Sequence, residues 1–156
     1  MIEVYLFDWG DTLMVDFPDV PGKMCDWDTV ELVNGAHETL EFLSESARIY
    51  IATGADESTD TDIQKAFERV GLNRFISGYF CKDNLGFSKG DPGFLPAIIK
   101  KLDKPPSHIA MVGDNFAKDV APAVDAGIKA IWLTNTGNGS VPDGVQTIRQ
   151  LRELCE

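Results

Sequence analysis

This sequence predicts a three-layer α/β/α fold of the Rossmann-like kind, built on a central parallel sheet of about five strands. Two observations carry the prediction. Short apolar runs alternate with longer amphipathic segments, the pattern of a parallel sheet covered on both faces. Several of the runs stop at a polar residue with Gly close by: Asp8 before Gly10, Thr53-Gly54 and Gly113-Asp114. Right-handed crossovers collect such strand ends on one edge of the sheet, where ligands bind in open α/β folds. The chain has 156 residues and is 44% hydrophobic, enough to build one core without staples, so residues 1–156 read as one domain.

The first strand is Val4–Phe7, at the end of an apolar run from Ile2. Residues 14–34 lack a clear period and are punctuated by Pro18, Pro21, Gly22 and Asn34. They read as a long loop with room for one helical turn. Met24, Trp27 and Phe17 make it either a small flap or an apolar-anchored surface loop. Ala36–Ala47 reads as a helix, with Leu40 and Leu43 on one face and Glu38, Glu41 and Glu45 on the other. Arg48–Ala52 is the second strand. Ser58–Val70 is an amphipathic helix closed by Gly71. Its acidic start, Asp56, Glu57, Asp60 and Asp62, suits the positive end of the helix dipole.

Phe75–Cys81 reads as the third strand, and Lys82–Gly90 as a loop carrying Lys89. Pro92–Leu102 follows as a helix, with Asp91 suited to cap it. Ile109–Val112 is the fourth strand. In the helix predicted over Ala117–Ala126, Pro122 implies a kink or a late start. Lys129–Leu133 is the fifth strand, and a Gly- and Asn-rich loop spans Thr134–Gly144. Val145–Ile148 suits a short edge strand, and Arg149–Leu154 a final helix.

Composition excludes some functions. A net charge of −11 argues against nucleic-acid binding through a basic face. No apolar stretch approaches the roughly 20 residues of a spanning helix, and the N-terminus lacks the basic flank of a signal peptide. Cys25, Cys81 and Cys155 are odd in number and widely spaced, the pattern of reduced thiols in a cytoplasmic protein. His37 and His108 lie away from the strand ends and read as structural. Trp9 either packs in the core or lines the site. Oligomeric state has no sequence signal.

The candidate site residues are Asp8, Thr53, Lys89, Asp114 and Asp119. Carboxylates, a hydroxyl and an ammonium at converging strand ends suit phosphate chemistry with a hard cation such as Mg²⁺. At this point the chain resembles the haloacid dehalogenase-like hydrolase superfamily. FDWGDTL resembles its first motif, IATG its second, SKGDPGF its third and MVGDNFAKDVAPAVDAG its fourth, all in order. The resemblance implies a phosphatase with no large cap domain. Asp8 would be the nucleophile, forming an aspartyl-phosphate. Asp8, the Gly10 carbonyl and Asp114 would bind Mg²⁺, with Asp119 behind them. Thr53 and Lys89 would bind the phosphoryl group. The substrate would be a phosphorylated small molecule or a macromolecular phosphate.

One position departs from the pattern. The family's acid/base Asp stands two residues after the nucleophile, and here that residue is Gly10, with Asp11 beside it. Either Asp11 swings in as acid/base, or it is a turn residue and turnover is weak. A binding or regulatory protein of low activity is therefore the alternative to a phosphatase. A dehalogenase is a third, weaker option, because the lid that closes an apolar pocket is missing.

Overall fold

The computed structural model describes residues 2–54, 58–134 and 141–155. Six parallel strands form one sheet: β1 (Val4–Phe7), β2 (Arg48–Ala52), β3 (Gly78–Phe80), β4 (Ile109–Gly113), β5 (Lys129–Leu133) and β6 (Val145–Ile148). Their order is β3-β2-β1-β4-β5-β6. The chain therefore builds outward from β1 in one direction and from β4 in the other. The switch point lies between β1 and β4, the place where open α/β sheets leave a crevice. The segment 145–148 is a full sixth strand, paired in parallel with β5 from Ala130↔Val145 to Leu133↔Ile148.

Helices cover both faces. On one side lie α1 (Ala36–Ser44) and α2 (Asp60–Glu68); on the other lie α3 (Lys82–Leu85), α4 (Phe94–Leu102) and α5 (Ala121–Asp125). Side chains that alternate along a strand serve the two layers in turn. Phe7, Ile49, Ile51, Ala110 and Val112 join the α1/α2 core, while Leu6, Ile109 and Met111 join the α4/α5 core. The central strand β4 is buried throughout, which explains its continuous apolar sequence.

Local chemistry shifts several element ends from their sequence-based limits. α2 starts at Asp60 because Thr59 and Asp62 form a reciprocal capping box. Asp91 does not cap a helix beginning at Pro92. Its Oδ1 accepts from Gly93 N at 2.8 Å, which organises a turn and delays α4 to Phe94. Residues 82–85, read as loop, form the short helix α3. A π-helical turn occupies Phe116–Val120, and α5 starts late, with Pro122 in its first turn. The third strand is only Gly78–Phe80, preceded by a 3₁₀ turn at Asn73–Phe75. The last segment is a 3₁₀ helix, Leu151–Cys155, rather than an α-helix. Asp56, Glu57 and residues 135–140 of the Gly- and Asn-rich loop lie outside the described residues.

The segment 14–34 is pinned rather than loose. Met14, Met24 and Trp27 are buried, and Met14 bridges to Gly10 and to Leu32. Lys23 Nζ pairs with Asp62 Oδ2 of α2 at 2.8 Å, and the Arg69 guanidinium donates to the carbonyls of Met24, Cys25 and Trp27. Among the described residues no large cap covers the strand ends, and no helix is long and apolar enough to cross a membrane.

Candidate active site

The adjacent strands β2, β1 and β4 deliver Thr53, Asp8 and Asp114 side by side. Asp8 N donates to Val112 O at 2.9 Å and Thr53 N to Phe80 O at 3.0 Å. The sheet ladder thus holds both residues just past their strands. Asp8, Gly10, Asp16, Thr53, Lys89 and Asp114 line one cleft of about 290 Å³.

Lys89 reaches this cleft from the loop between α3 and α4. Its Nζ lies 2.7 Å from Asp8 Oδ1 and 2.5 Å from Asp119 Oδ1, and it donates to Ala52 O at 3.0 Å. The contacts to Asp8 and Ala52 are hydrogen bonds, and the one to Asp119 is an ion pair. The Lys89 side chain is 5% exposed. Burial works to lower its pKa, but the charges and hydrogen bonds of Asp8 and Asp119 outweigh burial and hold it above the ordinary lysine value.

Two glycines permit this approach. A Cβ on Gly54 would come within 3.2 Å of Lys89 Cβ, and one on Gly113 within 2.1 Å of Asp119 Oδ2. Asp119 is buried, and its Oδ2 accepts from Asn115 N at 3.0 Å. The π-helical turn that carries Asp119 folds it back under β4, in keeping with the use of such turns at functional sites.

Asp114 faces Asp8 across the switch point. Thr12 Oγ1 bridges them, 3.2 Å from Asp8 Oδ2 and 3.3 Å from Asp114 Oδ1. Burial first, then the hydrogen bond and charge of Asp8 and the charge of Asp119, push the Asp114 pKa up to about 7. Burial also raises Asp119, against the opposing pull of Lys89. Asp8, Asp114 and Asp119 each offer an oxygen within 4.8 Å of the others. This all-oxygen donor set, with a carboxylate held up by its negative neighbours, fits a hard divalent cation. Asp119 is buried while Asp8 and Asp114 are only partly buried, so Asp8 and Asp114 are the side chains best suited to hold it.

Asp11 is placed differently from the other candidates. Its φ is 60°, its Oδ1 accepts from Asp16 N at 3.0 Å, and it lines an adjoining cleft with Val33 and Arg149. Trp9 is buried against Phe67 and donates to Met14 Sδ, so it packs in the core. His37 lies against Phe75 and His108 pairs with Glu3, both away from the cleft.

A family model for haloacid dehalogenase-like hydrolases matches residues 9–127. The chain belongs to the haloacid dehalogenase-like hydrolases. It is 29% identical over 120 residues to a phosphoserine phosphatase of Thermus thermophilus, covering 75% of this chain and 48% of that protein. It is also 29% identical over 102 residues to a ribulose-1,5-bisphosphate 5-phosphatase of Halopiger xanaduensis, covering 65% and 42% respectively. The chain thus spans less than half the length of these curated relatives. Among solved structures, a phosphatase of this superfamily from Thermococcus onnurineus superposes with a TM-score of 0.79 at 19% identity, covering 98% of this chain and 96% of the other. At that identity the likeness is one of fold.

Two residues beside this cluster, Thr12 and Asp16, carry no role in the sequence analysis. Thr12 stood inside the first motif as a hydroxyl between two strand ends, and its burial beside Asp8 is the missing information. Asp16 sits in an aperiodic loop. Its only sequence signal is indirect: a missing carboxylate at position 10.

Proposed function

We propose that the chain is a Mg²⁺-dependent phosphatase acting through a phosphoryl group carried transiently by Asp8. One observation carries the reading: a buried ammonium, Lys89, holds Asp8 Oδ1 at 2.7 Å while Thr12 holds Asp8 Oδ2 at 3.2 Å. A carboxylate fixed at both oxygens beside a cation is oriented for attack on an anionic substrate. The names of the phosphatase relatives support the same class.

In this reading an Asp8 oxygen bonds to phosphorus as the ester oxygen leaves. Water then attacks the phosphoryl-aspartate, releases phosphate and restores the carboxylate. Lys89 offsets charge on the phosphoryl oxygens, and Thr53 donates to one of them. Asp119 keeps Lys89 in place. Asp8, the Gly10 carbonyl and Asp114 would hold Mg²⁺, which supplies positive charge to the transferring group. The uncapped cleft suits a phosphorylated small molecule or a phosphate on a larger partner.

A second reading, a binding or regulatory protein of low turnover, rests on Gly10. It places no demand on Asp11, which then serves as a turn residue. One experiment decides the first reading. Hydrolysis of an aryl phosphate is followed with Mg²⁺, with EDTA and with Asp8→Asn. Activity is expected only with Mg²⁺ and intact Asp8. Hydrolysis that ignores EDTA or persists in Asp8→Asn refutes the mechanism. Turnover far below about 1 s⁻¹ on every phosphate tried favours the binding reading.

A further inference from the structure

We propose that Asp16 supplies the carboxylate that position 10 lacks, as proton donor to the leaving group and proton acceptor from water. The proposal rests on the phosphatase reading above. A Cβ built on Gly10 would lie 3.5 Å from Asp16 Cβ, 3.9 Å from its Cγ and 4.0 Å from its Oδ2. A side chain at position 10 would therefore grow towards the space that the Asp16 carboxyl takes up. Asp16 also shares its cleft with Asp8, Thr53 and Lys89. The carboxylate missing from the strand end thus returns from six residues further along the chain.

The loop that presents it is built into the fold. Met14 is fully buried and bridges to both Gly10 and Leu32. Val15 N donates to Glu31 O at 2.8 Å, and Asp16 N donates to Asp11 Oδ1 at 3.0 Å. Asp11, left-handed at φ 60°, turns the chain so that its own carboxylate holds the backbone of Asp16. In this arrangement Asp11 is a positioning residue and Asp16 a catalytic one.

The proton balance closes. In the first step Asp8 bonds to phosphorus, the ester P–O bond breaks, and the departing oxygen takes the proton of the Asp16 carboxyl. In the second, water attacks the phosphoryl-aspartate and gives a proton to the Asp16 carboxylate. The P–Oδ bond breaks, and phosphate, Asp8 and protonated Asp16 are restored.

The test uses two substrates, an alkyl phosphate with a poor leaving group and p-nitrophenyl phosphate with a good one. Only the first needs an acid for the first step. Asp16→Asn is expected to lower kcat/KM on the alkyl phosphate by about 10²–10⁴-fold and on p-nitrophenyl phosphate by less than about tenfold. Combining Gly10→Asp with Asp16→Ala, which empties the space of the Asp16 carboxyl, is expected to restore much of the loss. The contacts at Gly10 are ordinary van der Waals distances and its φ lies outside the left-handed region, so a Cβ fits, and truncating Asp16 clears room for the rest of the side chain. Mg²⁺ affinity measured by calorimetry is expected to be the same in wild type and Asp16→Asn. Equal losses on both substrates, or a loss reversed by excess Mg²⁺, overturn the proposal. So does full activity of Asp16→Asn beside an inactive Asp8→Asn, an outcome that leaves the phosphatase reading intact. A wild type inactive on both substrates fails that reading instead, and this proposal with it.

Discussion

Replacing Lys89 by Met removes the ammonium and keeps most of the side-chain stem. In the wild type, Nζ serves Asp8 Oδ1, Asp119 Oδ1 and Ala52 O. Asp8 keeps Thr12, and Asp119 keeps Asn115 N on its other oxygen. The main cost falls on Asp119, buried at 1% exposure with one oxygen stripped of its partner. Breaking a buried ion pair costs about 3–5 kcal/mol. An independent ceiling gives a similar figure. Asp119 escapes its unpaired charge by taking a proton, and protonating a carboxylate of ordinary pKa 3.8 at neutral pH costs about 4 kcal/mol, at about 1.36 kcal/mol per pH unit. A loss of about 3–4 kcal/mol follows, or a fall in Tm of roughly 6–16 °C for a chain of this size.

The pH dependence has a fixed sign. The wild-type Lys89 pKa is raised above 10.5, so its contribution is fully present below that value and is lost only at higher pH. In Lys89→Met the Asp119 pKa, already raised by burial, loses the opposing pull of Lys89 and rises further. The folded variant then binds more protons than the unfolded chain above pH 3.8, and its deficit shrinks as pH falls. Urea denaturation of both proteins at about pH 8 and about pH 5 measures this. A deficit under about 1 kcal/mol, or one that grows on acidification, refutes the electrostatic account of the Asp8–Lys89–Asp119 cluster.

Two further perturbations follow from the same geometry. The Asp114 carboxyl, raised from 3.8 to about 7, makes the metal-free fold lose stability as pH rises through that window, and a cation held by Asp114 relieves the penalty. The rise in Tm on adding Mg²⁺ is therefore expected to be larger at about pH 8 than at about pH 5.5, and an equal or opposite trend by scanning calorimetry rejects Asp114 as a ligand. Gly113→Ala puts a methyl 2.1 Å from Asp119 Oδ2 and is expected to cost about 1–3 kcal/mol. Gly10→Ala meets nothing closer than 3.5 Å and is expected to shift stability by less than about 1 kcal/mol, so similar melting temperatures for the two variants contradict the packing described.

The sequence by itself determined the layered parallel architecture, because apolar runs and amphipathic periods are local consequences of which face each element buries. It also marked Asp8, Thr53 and Asp114, since a polar residue closing an apolar strand has only the sheet edge to occupy. Lys89 was legible as a loop cation, but its reach across 81 positions to Asp8 depends on the order of β2, β1 and β4 and on the bare backbones of Gly54 and Gly113. Element ends at Asp60, Phe94 and Ala121 depended on side-chain caps and a π-helical turn that no period encodes. The direction of a loop side chain is set by hydrogen bonds to distant strands and turns. The tertiary structure alone therefore turned Asp11 into the support of a turn and brought Asp16 beside the empty position at Gly10.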